Sequence, residues 1–317
     1  MKNTKLLLAI IGLVVILQSC KTTNSTNSYN SYLDQKPPDI TPKLFAPSIV
    51  NTDDIEINTV FNFSFTEMFF TRIIDGSFVI HHSELSGGNW TTPQPIQMYT
   101  DQDAESVAID PSITQDGNTM YFLGISPEER ANGSKPNIYK SHKKEGKWQI
   151  ASKVGYPIST DEYAESYPVV VADGSLYFTS DRPDSLGKRD IYRAQYIGDG
   201  KFDKPVNIGS EVNSEKGERS TYVSPDESYL ITANTYTDEG GFAVSFKKNN
   251  KWQTPIYFDL GETLVKDWIY YCPYMTPDGK YFFFSRRYSN PPDSGWKGVT
   301  KGEVYWVNAD AIFNLKN

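Results

Sequence analysis

Along most of this chain, short apolar runs rich in Tyr, Phe, Val and Thr alternate with polar turns, and the alternation itself repeats. DPSITQDGNTMYFLG from Asp110, YPVVVADGSLYFTS from Tyr167, STYVSPDESYLITA from Ser220 and CPYMTPDGKYFFFS from Cys272 align with one another. Each holds an apolar or Thr-rich run, a turn at Asp116-Gly117, Asp173-Gly174, Asp226-Glu227 or Asp278-Gly279, then an aromatic run. Asp-Gly between such runs predicts a β-hairpin, because glycine takes positive φ without a Cβ clash. INTVFNFSFTEMFFTR from Ile57 is a degenerate first copy whose turn has lost its glycine. A third strand follows in each copy: FVIHHS, NIYKSH, DIYRAQ, FAVSFK and EVYWVN. Four copies add a fourth strand, opened by Trp90, Trp148, Phe202 and Trp252. Three of these continue to Pro93, Pro205 and Pro255, whereas Ala151 takes the proline place after Trp148. Proline suits an outermost strand, which can spare a ladder N–H. The matching aromatic positions Phe70, Phe122, Phe178, Ile231 and Phe283 are 52, 56, 53 and 52 apart.

Four antiparallel strands per unit in radial repetition describe a β-propeller. The last copy stops after its third strand, EVYWVNADAIF, while KLFAPSIVNTDDIEIN near the N-terminus reads as an orphan fourth strand. The expectation is an all-β, five-bladed propeller of four-stranded antiparallel blades, its ring closed by the N-terminal strand. Closure removes open sheet edges that would otherwise pair with other chains. A six-bladed ring is the alternative and would need roughly 50 more residues of repeat. The turns of S-P-D-G type and the segment TSDRP…RDIYR resemble the TolB-like, WD-repeat-like propeller family, from about Phe45 to Leu315. The resemblance implies a fold and no one function, since such repeats serve many roles.

The first twenty residues have a different character. Lys2 and Lys5 precede an unbroken apolar run from Leu6 to Leu17, too short to span a bilayer and suited to a signal peptide. It ends in Leu17-Gln18-Ser19-Cys20, which resembles the bacterial lipoprotein lipobox. That resemblance implies cleavage after residue 19 and lipidation of Cys20, with two or three acyl chains holding the protein to a membrane. Residues 20–42 are polar and read as a flexible tether, and 43–317 as the propeller domain. Lys21 resembles signals that permit outer-membrane sorting, so the expected location is the bacterial cell envelope, lipid-anchored at the outer membrane. Of the 2 cysteines, Cys272 alone would remain without the lipidated one, so the fold must hold without an internal disulfide. Its apolar surroundings in YYCPYM suggest a small buried hydrophobe. A net charge of −8 argues against general nucleic-acid binding, which needs basic clusters to neutralise phosphates.

Candidate chemistry is sparse. Gly-x-Ser-x-Gly, Walker and dinucleotide-binding motifs are absent, and so is the sialidase Asp-box, because Gly279 directly follows Asp278. His81 and His82 are neighbours on a strand and point to opposite faces, which spoils a joint metal site. No metal and no cofactor is therefore expected. The residues entering the innermost strands include Glu105, Asp110, Glu165, Glu218 and Asp267, with Arg219 among them, and these are the candidate funnel groups. An acid and a base or nucleophile ~5–10 Å apart would make a glycosidase of such a funnel. Acidic residues nevertheless recur before several inner strands, as TDQDAE, TDEYAE, SEKGE and VKD, and a recurrent feature points to architecture. The long polar loops ISPEERANGSKPN, DRPDSLGKRD and RRYSNPPDSGWKGVTKGE offer Arg182, Arg286, Arg287 and Trp296 as candidate loop contacts. The Trp296 loop either captures a ligand or folds its indole back onto the blade. The functional expectation is an envelope propeller that binds a protein or glycan partner without catalysis. The alternative is a glycoside hydrolase or lyase using the funnel carboxylates.

Overall fold

The computed structural model describes residues 32–101, 106–233, 241–258, 260, 268–290 and 295–313. Strands dominate them, and no helix among the described residues is long and apolar enough to cross a membrane. The strands form five successive antiparallel units. The first three are Ile55–Phe61, Glu67–Ile74, Ser77–Ser86 and Gln94–Pro95; then Val107–Ile113, Thr119–Ile125, Asn137–Lys144 and Ser152–Lys153; then Glu165–Val170, Leu176–Ser180, Asp190–Ala194 and Val206–Asn207. The fourth is Thr221–Val223, Tyr229–Ala233, Phe242–Lys248 and Ile256–Phe258. The fifth has Trp268–Met275, Tyr281–Ser289 and Val299–Asn308, and its outer partner is Lys43–Leu44 from the N-terminal side, with Lys43 opposite Trp306.

The hairpin turns follow from local chemistry. In the second unit the Asp116 carboxylate accepts from Thr114 Oγ1 at 2.6 Å and from the Asn118 N–H at 3.0 Å, and Gly117 stands at φ 72°. Asp278 repeats the arrangement with Thr276 and Lys280 beside Gly279 at φ 69°. Where glycine is missing, a side chain takes the left-handed place: Glu227 at φ 56° and Phe65 at φ 55°.

Each unit buries both faces against its neighbours. One apolar cluster joins Val60, Phe69 and Ile80 of the first unit to Ala108, Met120 and Phe122 of the second. Others join Tyr121 and Ile138 to Phe178 and Tyr192, and Tyr177 and Ile191 to Val223 and Leu230. A further cluster packs Phe242 and Val244 on Phe282 and Phe284, and the last packs Phe283, Val304 and Trp306 on Phe61, Met68 and Phe70. The first strand of every unit packs against that of the next, and the fifth against the first.

Three expectations need correction. Counted from the turn, the ladder puts Phe69, Tyr121, Tyr177, Ile231 and Phe283 at equivalent places, opposite Val60, Ser112, Val169, Tyr222 and Tyr274. The alignment on Phe70, Phe122 and Phe178 is one residue late. Burial on both faces explains the slip, because no in–out alternation marks the register. The fourth strand is also not continuous. Its opening aromatic sits in a tight hairpin with the end of the third strand, as Trp90 opposite Leu85, and Pro93, Pro205 and Pro255 occupy the gap before pairing resumes. Ala151, in the same gap, gives its N–H to the Met98 carbonyl at 2.8 Å, a bond proline cannot make. Finally, the stretch read as tether is docked from residue 32 onward. Tyr32 is 3% exposed, lies among Phe61, Phe65, Tyr281 and Trp306, and donates its hydroxyl to Asp278 at 3.2 Å.

Candidate functional site

The first strands carry a recurrent irregularity. Register shifts lie between Ile57 and Val60, Ile109 and Ser112, Ser166 and Val169, and Tyr271 and Tyr274. Inside them Asn58, Asp110, Tyr167 and Cys272 have φ of 56°, 61°, 52° and 51°. Left-handed backbone at a non-glycine residue costs about 1 kcal/mol, and such bulges re-aim side chains. Ser220 stands at the same place in the fourth unit, so the five positions are 52, 57, 53 and 52 apart. Together with the strand ends, these residues line a cavity of about 70 Å³ that extends to Phe63, Pro225 and Pro277 in the turns. Its size suits a few waters or a small chemical group, not a sugar ring.

Asp110 is the charged member of the ring of five and is 4% exposed. Its Oδ1 accepts from Asn58 Nδ2 at 2.8 Å and from the Cys272 thiol at 3.6 Å, while its Oδ2 has no protein donor. Burial pushes its carboxyl up to about 6, against the lowering effect of the Asn58 and Cys272 hydrogen bonds. The Cys272 backbone N–H in turn donates to Ser220 Oγ at 2.8 Å, and that of Asn58 to Ser285 Oγ at 2.9 Å. Cys272 is thus buried as expected, yet bonded to a carboxylate, where a purely apolar role was anticipated. The signal available in the sequence was the x-Pro pair at Asp110-Pro111, Tyr167-Pro168 and Cys272-Pro273, which singles out three of the five places.

The other predicted funnel carboxylates sit elsewhere. Glu165 is 0% exposed and accepts from the Thr160 N–H at 3.2 Å, from Thr160 Oγ1 at 3.1 Å and from Arg182 at 3.3 Å. Glu218 accepts from the Ser214 N–H at 2.8 Å. Glu56 does the same with Thr52, and pairs with Arg72 at 2.9 Å. Each of these carboxylates pins the loop that feeds its own first strand, so they are parts of the architecture and none lines the cavity. Burial pushes Glu165 and Glu218 up to about 7, and the single Arg182 contact does not offset it in Glu165 because that guanidinium also serves the Pro157 and Ile158 carbonyls. Glu105, Asp267 and Cys20 lie outside the described residues. Arg219 is half-buried, within electrostatic reach of Tyr167 together with Arg189.

The loop candidates divide. Arg182 is a clamp, lying 5.2 Å over Phe178 with its N–H groups on Ser180, Pro157 and Ile158. Arg286 is held between Trp268 at 4.3 Å and Tyr305 at 4.5 Å and bonded to Glu303 at 2.7 Å. Arg287 is 7% exposed and lies 4.5 Å from the Trp296 ring. Trp296, 37% exposed, sets its ring edge-on to Phe78 at 5.2 Å and Tyr271 at 5.9 Å. The indole therefore folds back onto the blades and still offers one face to solvent. His81 and His82 do point apart, stacked on Phe70 and Phe69, with His82 bonded to Glu67 at 2.9 Å. Among the described residues no group of three His, Cys, Asp or Glu is placed to hold a metal ion.

No protein-family model and no curated protein matches the sequence. Among solved structures, the catalytic domain of the Coprinopsis cinerea GH62 alpha-L-arabinofuranosidase is similar with a TM-score of 0.50 at 10% identity, over 86% of this chain and 94% of that one. An alpha-L-arabinofuranosidase from Lactobacillus brevis gives 0.48 at 14% identity, over 81% and 90%. TolB from Acinetobacter baumannii gives 0.45 at 14% identity over 81% of this chain, which spans only 57% of that protein's length. At such identities the likeness is one of fold alone: the chain is nearly all β, and its structural neighbours are β-propellers.

Proposed function

We propose that this protein is a lipid-anchored component of a bacterial envelope whose five units form one closed five-bladed ring, and that its long-loop face recognises a protein or glycan partner without turning it over. The anchor rests on the apolar run before Cys20. The ring is supported by the apolar clusters between successive units, the fifth and first included, and by the pairing of Lys43–Leu44 with the last unit.

The observation that carries the binding reading is the Trp296–Arg287 pair. Trp296 is the exposed tryptophan among the described residues, and its other face is braced on a buried guanidinium. Tryptophan and arginine are enriched at binding hot spots, and a rigid aromatic surface costs little ordering on contact. The carboxylates Glu165 and Glu218, spent on their own loops, are poor candidates for an acid–base pair.

The test is a glycan array and an envelope-protein pull-down with the purified chain, recording both binding and product release. Trp296→Ala should weaken the captured interaction at least tenfold, measured well below its own melting temperature, because the indole also packs on Phe78 and Tyr271. Product release that disappears in Glu165→Gln, Glu218→Gln or Asp110→Asn would replace this reading with the hydrolase or lyase. Labelled fatty acid should enter the wild-type chain in cells and be lost from Cys20→Ser.

A further inference from the structure

The five positions are equivalent by place in their units, four of them bulged and Ser220 just ahead of a strand without a register shift, so a residue type that serves the place alone should recur at all of them. Asn58, Tyr167, Ser220 and Cys272 are neutral, and Asp110 is an acid. Nothing in the repeat requires a carboxylate at that place. It is buried, its Oδ2 has no protein donor, and it lines a cavity. A buried carboxylate oxygen without a donor is costly, and a bound group that donates to it recovers the loss.

We propose that the axial cavity binds a primary alkylammonium group, its charged head donating to the free oxygen of Asp110 and its aliphatic neck lying along the cavity wall. The chemistry of the wall selects this class. Val60, Ile113, Val170, Val223 and Met275 line the part nearer the turns and suit methylenes. At the head end, an ammonium has three N–H donors, and the cavity offers one carboxylate together with the acceptor oxygens of Asn58, Tyr167 and Ser220. Asn58 spends its amide nitrogen on Asp110 and keeps its side-chain carbonyl as an acceptor. A calcium ion would want six to eight oxygens, whereas Asp110 is the single carboxylate among the lining residues. An anion would meet that carboxylate directly.

The proposal carries a pH dependence. The head is best held by the ionised carboxylate, so affinity is full above the range in which Asp110 titrates, about 6, and falls as pH drops through it. The neighbouring titratable groups are Tyr167 and Cys272, both pushed up by burial and so neutral near pH 7. Arg189 and Arg219 stand within electrostatic reach of Tyr167, and Arg287 within reach of Cys272. All three stay charged across the range.

The experiment titrates the full chain in detergent with n-butylamine, with 1-butanol as the neutral isostere and calcium chloride as the metal control, by calorimetry and thermal shift at pH 8 and pH 5. Butylammonium should bind and raise the melting temperature at pH 8, at least tenfold more tightly than at pH 5, and 1-butanol should not. Asp110→Asn, which keeps the size of the side chain, should lose butylamine binding at least tenfold. Val170→Phe should block the neck and lose it too, which guards against an Asp110 variant that fails to fold. Nα-acetyl-lysine methylamide forms a second arm: binding there as well assigns the head to a partner's lysine, and binding of butylamine alone assigns it to a free amine. Equal binding of 1-butanol, retention by Asp110→Asn, preference for calcium, or no amine binding up to ten millimolar would overturn the proposal.

Discussion

Glu227 shows what a single residue trades in this fold. It holds left-handed backbone where three other units place glycine, and it joins Arg193 of the preceding unit at 2.6 Å to Lys247 of its own at 2.7 Å. Burial would raise its carboxyl, but the hydrogen bonds from Lys247 and Arg193 outweigh that and the net shift is downward. Glu227→Gly relieves backbone strain of about 1 kcal/mol and breaks a network of comparable or larger worth. The variant should melt lower than wild type in dilute salt, with the gap narrowing in 1 M NaCl; a more stable glycine variant would show that the strain is the larger effect. Glu218 behaves oppositely. Burial pushes it up to about 7, with the Ser214 N–H on one oxygen and no donor on the other. A raised carboxyl binds its proton more tightly folded than unfolded, so its contribution is full below the unfolded value of ~4.3 and is lost as pH rises through about 7. Wild-type stability from this group should fall between pH 5 and pH 8 by on the order of 1 kcal/mol or more, and Glu218→Gln should flatten that slope in denaturant melts.

At the scale of the element, each hairpin is local and was readable, because a turn such as Thr276–Lys280 is closed by its own Asp278. The broken outer strand was only half readable. Proline marked it correctly as an edge, but the gap that the prolines fill became visible with the pairing. Ala151 provides the check: Ala151→Pro removes the bond to the Met98 carbonyl and should cost about 1–2 kcal/mol in chemical denaturation. Pro255→Ala, at an equivalent place in the fourth unit, should change stability by less than about 1 kcal/mol. Equal effects would mean that the Ala151 bond contributes nothing.

Across the whole molecule, the contact between the last unit and the first decides whether five marginal sheets hold as one body. Tyr32, upstream of the predicted domain edge, sits in that seam against Phe61 and Trp306 and reaches Asp278. Tyr32→Ala removes a buried ring and should destabilise the full chain by about 3 kcal/mol. Tyr32→Phe, which loses only the bond to Asp278, should cost about 1 kcal/mol. A silent Tyr32→Ala would mean that the segment is not part of the folded body in solution. The order of the strands within each unit and the positions of the hairpin turns were determined by the sequence alone, since each depends on residues a few places apart. Only the tertiary structure decided which polar groups meet. Asn58, Asp110, Tyr167, Ser220 and Cys272 lie more than fifty residues apart, and their meeting depends on how the first strands of the five units pack against one another. Glu165 and Glu218, which looked equally eligible, turn into their own loops, where the backbone N–H groups of Thr160 and Ser214 donate to them.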